Sequence, residues 1–524
     1  MLAGKIATLL IIATVLSLIS ALIVASRYRA AMKRLMKMPL NLPLTAASPP
    51  PAALPSAMDA SPFAVSLDDN DLAYRHLIGA FVGLTVVMAL TRTLITQMVA
   101  DGPITLLTVS ALGAAYSWPV VPVIAVLGRW RRRQLVGALV LWFVAAVALM
   151  SWRTTEAVSF AQVFSWMLID IGLPLIVVTS LCLGGATRAI GPWLAPLFIL
   201  LCWSSQAGVD LLARLVDERS HLIDWLVSYF NPVAGIALFA LLPWILAWWP
   251  VGAIGRWLAK AYSERRISEL FYLFSAVWTI ALTGPAVMSI SSIGWAGLVT
   301  YLPLLWVPVG AWLMQRTLGA QRKQGRPPTL LVLRVFQQDA NVQDLFDRVI
   351  ERWRLTGNTV LIAGTDLVDR TIDADDIFTF LDGRLGERFI HQPADVPRRL
   401  AAFEWQSDIE GRYRVNECYC HDSTWKVALA ELLRISDVVL MDLRNFQSSN
   451  EGCLHELREL GALPGDPRVV VLINEHTHLD SARAATSNAP GKRFVWLKQE
   501  GATPPATAQV LAALLGEASA TPGH

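Results

Sequence analysis

The chain contains nine strongly apolar segments, most of them long enough to cross a lipid bilayer. About 20 helical residues, at about 1.5 Å each, span the roughly 30 Å hydrocarbon core. A segment in lipid must satisfy its own backbone hydrogen bonds, so each is predicted to be a helix. Since 54% of the residues are hydrophobic and only 16% are charged, we predict an integral membrane protein with about nine transmembrane helices. The predicted spans are 6–26, 77–100, 103–128, 135–152, 163–182, 189–204, 226–249, 269–290 and 292–314.

The basic residues beside the spans predict how the chain crosses the membrane. The first span is longer than the apolar part of a typical cleaved signal peptide, and basic residues follow it between 27 and 37. By the positive-inside rule this flank is cytoplasmic and the amino terminus lies outside. Threading the later spans from there places the basic clusters at 129–133, 256–266 and 316–326 on the same side. We therefore expect a multi-pass protein of a bacterial-type inner membrane.

Composition divides the chain into five regions. Residues 1–326 carry 24 Lys and Arg against 13 Asp and Glu, whereas residues 327–524 carry 20 against 28. The second part is predicted to be a soluble domain, of a size that holds its own core. The regions are an N-terminal span with its basic flank at 1–37, a Pro/Ala-rich linker at 38–74, a multi-span domain at 75–316, a basic linker at 317–328 and a cytoplasmic domain at 329–518.

The cytoplasmic domain alternates predicted strands with predicted helices. Such alternation favours a doubly wound parallel sheet with helices on both faces. The predicted strands are 330–336, 359–363, 437–443, 468–473 and 493–497. The predicted helices are 341–355, 424–435, 452–460 and 506–515.

An insertion at 370–420 interrupts this alternation. It contains a predicted amphipathic helix at 375–385. A predicted hairpin pairs 402–405 with 413–419 across a turn at 408–411. Such an addition serves as a functional lid or interaction surface, or as a structural extension.

Candidate site residues lie where two of the predicted strands end. Parallel sheets bind ligands at the carboxyl ends of their strands. Asp442 and Arg444 could bind a ribose or phosphate there, or could pair with each other. After the second strand, glycine and small polar side chains could approach a phosphate. These residues are Gly364, Thr365 and Asp366.

The order of elements resembles that of the TIR domain, which has a five-stranded flavodoxin-like fold. The specific likeness lies in the segment 434–460, where Cys453, Glu456 and Leu457 match a Ser-x-Trp-Cys-x-x-Glu-Leu pattern, with glycine in place of the tryptophan and Ser449 one position before the place of the serine. In TIR domains that cleave NAD, this glutamate supports the loss of nicotinamide, so the resemblance implies that Glu456 is catalytic and that NAD is a substrate. The whole chain also resembles a group of bacterial multi-pass proteins with similar C-terminal stretches.

Three functional hypotheses follow from these observations. The first is a membrane-tethered signalling or effector protein that binds a nucleotide-like ligand, with NAD hydrolysis as its enzymatic form. The second is a non-enzymatic scaffold or sensor with a protein-interaction tail. The third is a transporter with a regulatory domain, which depends on Asp170 within a span.

The predicted partners are few. We expect the lipid bilayer and a second copy of the chain, bound through the cytoplasmic domain, and no nucleic acid. The run Cys418-Tyr-Cys420-His421-Asp422 contains groups that bind zinc, but no second ligand pair follows at the usual spacing. We therefore predict no metal site.

Overall fold

The structure, a computed structural model, describes residues 2–36, 60–153, 158–182, 185–218, 221, 228–229, 231–319, 325–334, 340–363, 374–381, 383, 385–421, 423–464, 467–487, 493–499 and 504–517. Helices make up the part before residue 320, and an α/β domain follows. The helices of the first part are α1 Leu2–Met36, α2 Leu67–Val99, α3 Leu106–Tyr116, α4 Val120–Leu127, α5 Arg132–Arg153, α6 Phe160–Met167, α7 Leu173–Cys182, α8 Gly185–Asp217, α9 Pro232–Ser263, α10 Glu269–Ile293 and α11 Trp306–Gly319. A π-helix, Leu168–Gly172, joins α6 to α7, and a 3₁₀ segment, Gly294–Leu305, joins α10 to α11.

Fewer helices qualify as membrane spans than the sequence predicts. Within the described ranges, seven are long and apolar enough to cross a membrane, or up to eight if the pair α3 and α4, bent by 44°, is one span. The predicted number was nine. Part of the difference is that 269–317 forms one 49-residue helical stretch, where the sequence predicts two spans.

This 49-residue stretch turns at Gly294, whose φ of +66° is rarely adopted by other residues. At Gly297 a Cβ atom would lie 2.3 Å from the backbone nitrogen of Ile290, so only glycine permits this close approach. The chain therefore packs tightly against itself just after α10.

The predicted linker 38–74 ends earlier than expected. Helix α2 already begins at Leu67, because Ser66 and Asp69 form a capping box in which each side chain accepts from the other residue's backbone N–H.

The α/β domain holds one seven-stranded sheet in which every strand is parallel to its neighbours. The strand order is β3-β4-β2-β1-β5-β6-β7. Its strands are β1 Thr329–Arg334, β2 Asn358–Ala363, β3 Phe389–Ile390, β4 Val415–Cys420, β5 Val438–Asp442, β6 Arg468–Ile473 and β7 Phe494–Lys498. Its helices are α12 Ala340–Trp353, α13 Ala374–Leu381, α14 Val396–Ala401, α15 Trp425–Ile435, α16 Glu451–Ala462, α17 Leu479–Ala485 and α18 Pro504–Leu515.

The predicted hairpin in the 370–420 segment is wrong. Strand β4 pairs in parallel with β2 on one side and β3 on the other, and residues 402–405 form no strand. The turn at 408–411 does form, but β4 gains more burial between two strands than an isolated hairpin would give. The segment expected as an insertion thus supplies two strands of the sheet.

The remaining five strands have the order β2-β1-β5-β6-β7, which is the flavodoxin-like order. The chain leaves β1 towards β2 on one side and later crosses to β5 on the other side. The strand order therefore reverses between β1 and β5, and sheets of this type bind ligands at such a switch point.

Two apolar layers cover the sheet, because alternate residues of a strand point to opposite faces. One layer contains Leu330 and Leu440, and the other contains Leu331 and Val439. The first layer also includes Ala21, Ala25, Tyr28 and Met32 of α1. The C-terminal half of α1 therefore packs against the α/β domain.

Candidate functional site

A buried ion pair between Asp442 and Arg444 lies at the carboxyl end of β5. Asp442 is 2% exposed and Arg444 is 3% exposed. Arg444 donates from Nε to Oδ1 of Asp442 at 2.9 Å and from Nη2 to Oδ2 at 2.5 Å. Of the two alternatives left by the sequence, the structure shows internal pairing. The Asp442 carboxylate therefore holds the loop that follows β5.

This loop is also tied to the loop after β6. Asn445 adopts a φ of +63°, and its backbone N–H donates to Oδ1 of Asn474 at 2.9 Å. Asn474 returns a bond from Nδ2 to Oδ1 of Asn445 at 2.9 Å, and Thr477 donates to the carbonyl of Leu443 at 2.9 Å. Asn474 and Thr477 are not among the residues predicted from the sequence. Asn474 directly follows the buried strand β6, and a polar residue at the end of a buried strand is the signal that selected Asp442.

Glu456 lies on the side of α16 that faces the core. Cys453, Leu457 and Leu460 share this face, as residues three or four apart on a helix do. Glu456 is 7% exposed, and in the described part of the chain its Oε2 has no hydrogen-bond partner. Burial raises the pKa of Glu456 to about 8. Its carboxyl is therefore mostly neutral at pH 7, and it has hydrogen-bonding capacity that the described residues do not use.

The other residues of the predicted site do not share one environment. Cys453 is buried one turn before Glu456, and burial raises the pKa of its thiol to about 12, so the thiol is not a nucleophile at neutral pH. Ser449 is exposed in the turn that precedes α16. Gly364, Thr365 and Asp366 lie outside the described residues.

A second polar cluster lies where the α/β domain meets the membrane helices, and the sequence analysis did not predict it. We call residues 404–414 the interdomain turn. The backbone N–H of Asp408 donates to the carbonyl of Arg412 at 2.7 Å, and Gly411 turns the chain with a φ of +85°. Ile409, at the tip, belongs to the apolar cluster formed by the membrane helices.

Glu351 of α12 is the centre of this cluster. Its Oε2 accepts from Nη2 of Arg129 at 3.1 Å and from Nη1 of Arg354 at 3.3 Å, and its Oε1 accepts from Arg412. Burial alone would raise the pKa of Glu351, but attraction to these three arginines outweighs burial and lowers it to about 2. Because Arg129 follows α4, one carboxylate joins the membrane helices, the α/β domain and the interdomain turn.

Arg414 makes the second set of bonds across this interface. It donates from Nε to Oδ1 of Asp408 at 2.9 Å and from Nη2 to the carbonyl of Tyr262 at 2.7 Å. Tyr262 lies in the last turn of α9, where a cation also complements the helix dipole. Nη1 of Arg414 lies 2.8 Å from Oε2 of Glu404 in an ion pair, and the same oxygen lies 3.7 Å from Nε of Arg265.

A third polar group lies among the membrane helices. Nη2 of Arg92 in α2 donates to Oδ1 of Asp170 at 2.7 Å, and the Arg92 guanidinium lies 3.7 Å from the centre of the Tyr116 ring. Arg92 is 1% exposed and Asp170 is 3% exposed. Asp170 therefore faces protein, where Arg92 offsets the cost of a charge within a span.

Cys418 and Cys420 lie in β4 without a disulfide. Burial raises the pKa of both thiols, that of Cys418 to about 12. Across the described ranges, His, Cys, Asp and Glu do not gather in a group of three or more that could hold a metal ion.

Comparison of the chain with protein-family models, curated proteins and solved structures finds no match. What can be said of its function therefore comes from its own residues and geometry.

Proposed function

We propose that this chain is an inner-membrane signalling protein whose TIR-like α/β domain binds a nucleotide-like ligand at the carboxyl edge of its sheet. The observation that supports this most is the strand order, which reverses between β1 and β5. The helix that follows β5 carries Glu456, whose Oε2 has no hydrogen-bond partner among the described residues. A buried carboxyl with a strongly raised pKa is typical of functional sites in clefts.

We propose further that the α/β domain is cytoplasmic. The membrane-helix ends that contact this domain carry basic residues: Arg129 bonds to Glu351, and Arg265 bonds to Gln406. Tyr28, within the basic end of α1, packs on Phe380 with ring centroids 5.9 Å apart. Basic flanks remain on the cytoplasmic side. Because the chain turns back at Gly294, the stretch 269–317 would cross the membrane twice. With the pair α3 and α4 as one span, the total would be nine crossings, an odd number that places the amino terminus outside and the α/β domain inside.

NAD hydrolysis is the enzymatic form of the proposal, with Glu456 as its catalytic residue. The nicotinamide ring of NAD carries a positive charge, and a nearby cation lowers the pKa of a carboxyl. A bound NAD molecule would therefore ionise Glu456. The carboxylate would then stabilise the positive charge that develops on the ribose as the bond to nicotinamide breaks. Nicotinamide would leave as a neutral molecule, and a water molecule would add to the ribosyl carbon and release a proton to solvent.

The test uses the full chain in lipid nanodiscs, incubated with NAD while nicotinamide release is followed by chromatography. We expect Glu456→Gln to lower release at least ~100-fold, because the amide cannot ionise. Glu459→Gln is the matched control, since Glu459 lies in the same helix with its side chain 45% exposed. No release by the unchanged chain, or release unaffected by Glu456→Gln, would refute the enzymatic proposal.

A second candidate, a non-enzymatic sensor or scaffold, is favoured by the interdomain turn. Ile409 and Glu351 join the α/β domain to the membrane helices through buried contacts, so a movement of the helices would reach the sheet. A sensor of this kind would retain its protein partners in Glu456→Gln and lose them in Arg412→Gln. Pull-downs with the two full-length variants would separate this candidate from the enzyme.

A further inference from the structure

The guanidinium of Arg92 has hydrogen-bond donors with no acceptor among the residues that the structure describes. Nη2 is bonded to Asp170, but Nε and Nη1 are buried and have no acceptor in the described part of the chain. Leaving a buried donor unpaired costs about 1–3 kcal/mol, and more for a charged group. In a membrane span, lipid cannot supply the acceptor. A bound acceptor at this position would remove the cost.

Irregular helices surround Arg92. Asp170 lies in the π-helix, a form that is frequent at functional sites, and Tyr116 is the last residue of α3, where the chain bends by 44°. Two further buried groups, Trp118 Nε1 and Thr85 Oγ1, also have no partner in the described ranges. Thr85 lies two turns before Arg92 on the same face of α2. Four buried polar atoms on α2 and just after α3 thus have no partner in the described ranges: Nε and Nη1 of Arg92, Oγ1 of Thr85 and Nε1 of Trp118.

Charge determines which acceptor can enter. Arg92 and Asp170 together are neutral, and Tyr116 adds an uncharged hydroxyl. A monovalent anion would leave one net negative charge in a medium of low dielectric constant, which is costly. The charge stays balanced if a proton from solvent moves to the Asp170 carboxylate as the anion accepts hydrogen bonds from Arg92.

We propose that Arg92 and Asp170 form an intramembrane site for a small carboxylate or other monovalent oxyanion, and that each anion binds together with one proton. Arg92 contacts the anion, and Asp170 takes up the proton. This site is independent of Glu456 and of the α/β domain.

The test is calorimetric titration of the full chain in nanodiscs with sodium acetate, sodium formate and sodium nitrate. Each titration is repeated at one pH in two buffers that differ in their enthalpy of ionisation, which gives the number of protons taken up. We expect saturable binding of at least one probe with about one proton per anion. We expect Arg92→Gln to weaken binding at least ~10-fold, because a charge-assisted bond is lost.

Asp170→Asn gives the decisive result even if Arg92→Gln fails to fold. With no carboxylate to neutralise, this variant should bind the same anion at least ~10-fold more tightly and without proton uptake. Arg153→Gln is the control, since Arg153 ends α5 and donates to the carbonyl of Leu107. The proposal is wrong if no probe binds the unchanged chain, if binding takes up no proton, or if Asp170→Asn still takes one up.

Discussion

Glu456 shows how one buried residue carries both the proposed function and a cost in stability. It lies between Cys453 and Leu457 on the core face of α16, whereas Arg458, two positions later, is exposed. Its raised pKa arises from burial, which disfavours the charged form of the carboxyl. The neutral carboxyl that results is suited to a ligand that brings its own positive charge.

Because the pKa of Glu456 is raised in the folded state, the stability of the protein should depend on pH. The folded-state pKa of Glu456 is about 8 and its ordinary value is 4.5, so the folded state binds the extra proton between these pH values. Stability should therefore fall as pH rises from 4.5 to 8, by about 1.4 kcal/mol per pKa unit at most. Glu456→Gln removes the titration, so its stability relative to the unchanged chain should increase by several kcal/mol from pH 4.5 to pH 9.

The measurement is the thermal unfolding of both full-length proteins in detergent at the two pH values. Glu459→Gln, in the same helix with a side chain that is 45% exposed, is the matched control at both pH values. An equal difference at both pH values for Glu456→Gln would contradict the raised pKa.

Among the elements, the interdomain turn links the α/β domain to the membrane helices through buried charges and Ile409. It is only eleven residues long, yet Arg412 bonds to α12, Arg414 bonds to the last turn of α9, and Glu404 pairs with Arg265 just after α9. Its backbone shape depends on Gly411, whose φ of +85° disfavours other residues.

A pair of glycine substitutions tests this backbone. Gly411→Ala should destabilise the protein by about 1–2 kcal/mol, because a side chain strains this conformation. Gly452→Ala should instead stabilise it by up to ~1 kcal/mol, since Gly452 is in the first turn of α16 and a Cβ there meets nothing within 4 Å. Thermal unfolding of the two variants should give changes of opposite sign, and a stabilised Gly411→Ala would contradict the conformation.

For the whole molecule, the interface between the helices and the α/β domain depends on buried charges that balance one another. Glu351 bonds to Arg129, Arg354 and Arg412, from three separate parts of the chain. Removing one partner from such a set leaves the others buried without compensation. The interface therefore depends on each of these charges, and the substitution of one charged residue should weaken it.

Glu351→Gln should destabilise the protein by about 3–5 kcal/mol at pH 7, because three arginines lose their carboxylate. The Glu351 pKa is lowered to about 2, so its contribution is present above pH 4.5 and is lost as pH falls from 4.5 to 2. The thermal midpoints of variant and unchanged chain should hence converge in acid. Glu475→Gln, which breaks an exposed pair with Lys498, should change stability by less than about 0.5 kcal/mol. An equally small effect of Glu351→Gln would contradict the role of the cluster.

The sequence alone determined the membrane character, the alternation of strands and helices and the parallel sheet, because hydropathy and residue period are local properties of a segment. It also indicated a special role for Asp442, Glu456 and Asp170. The pairing of distant side chains and strands, in contrast, depends on the tertiary structure. Arg92 and Asp170 are 78 positions apart, and Glu351 and Arg129 are 222 apart. Strand β4 pairs with β2 rather than in a local hairpin, because this position buries it within the sheet. No local pattern encodes such pairings, since they follow from how the completed elements pack and exclude water.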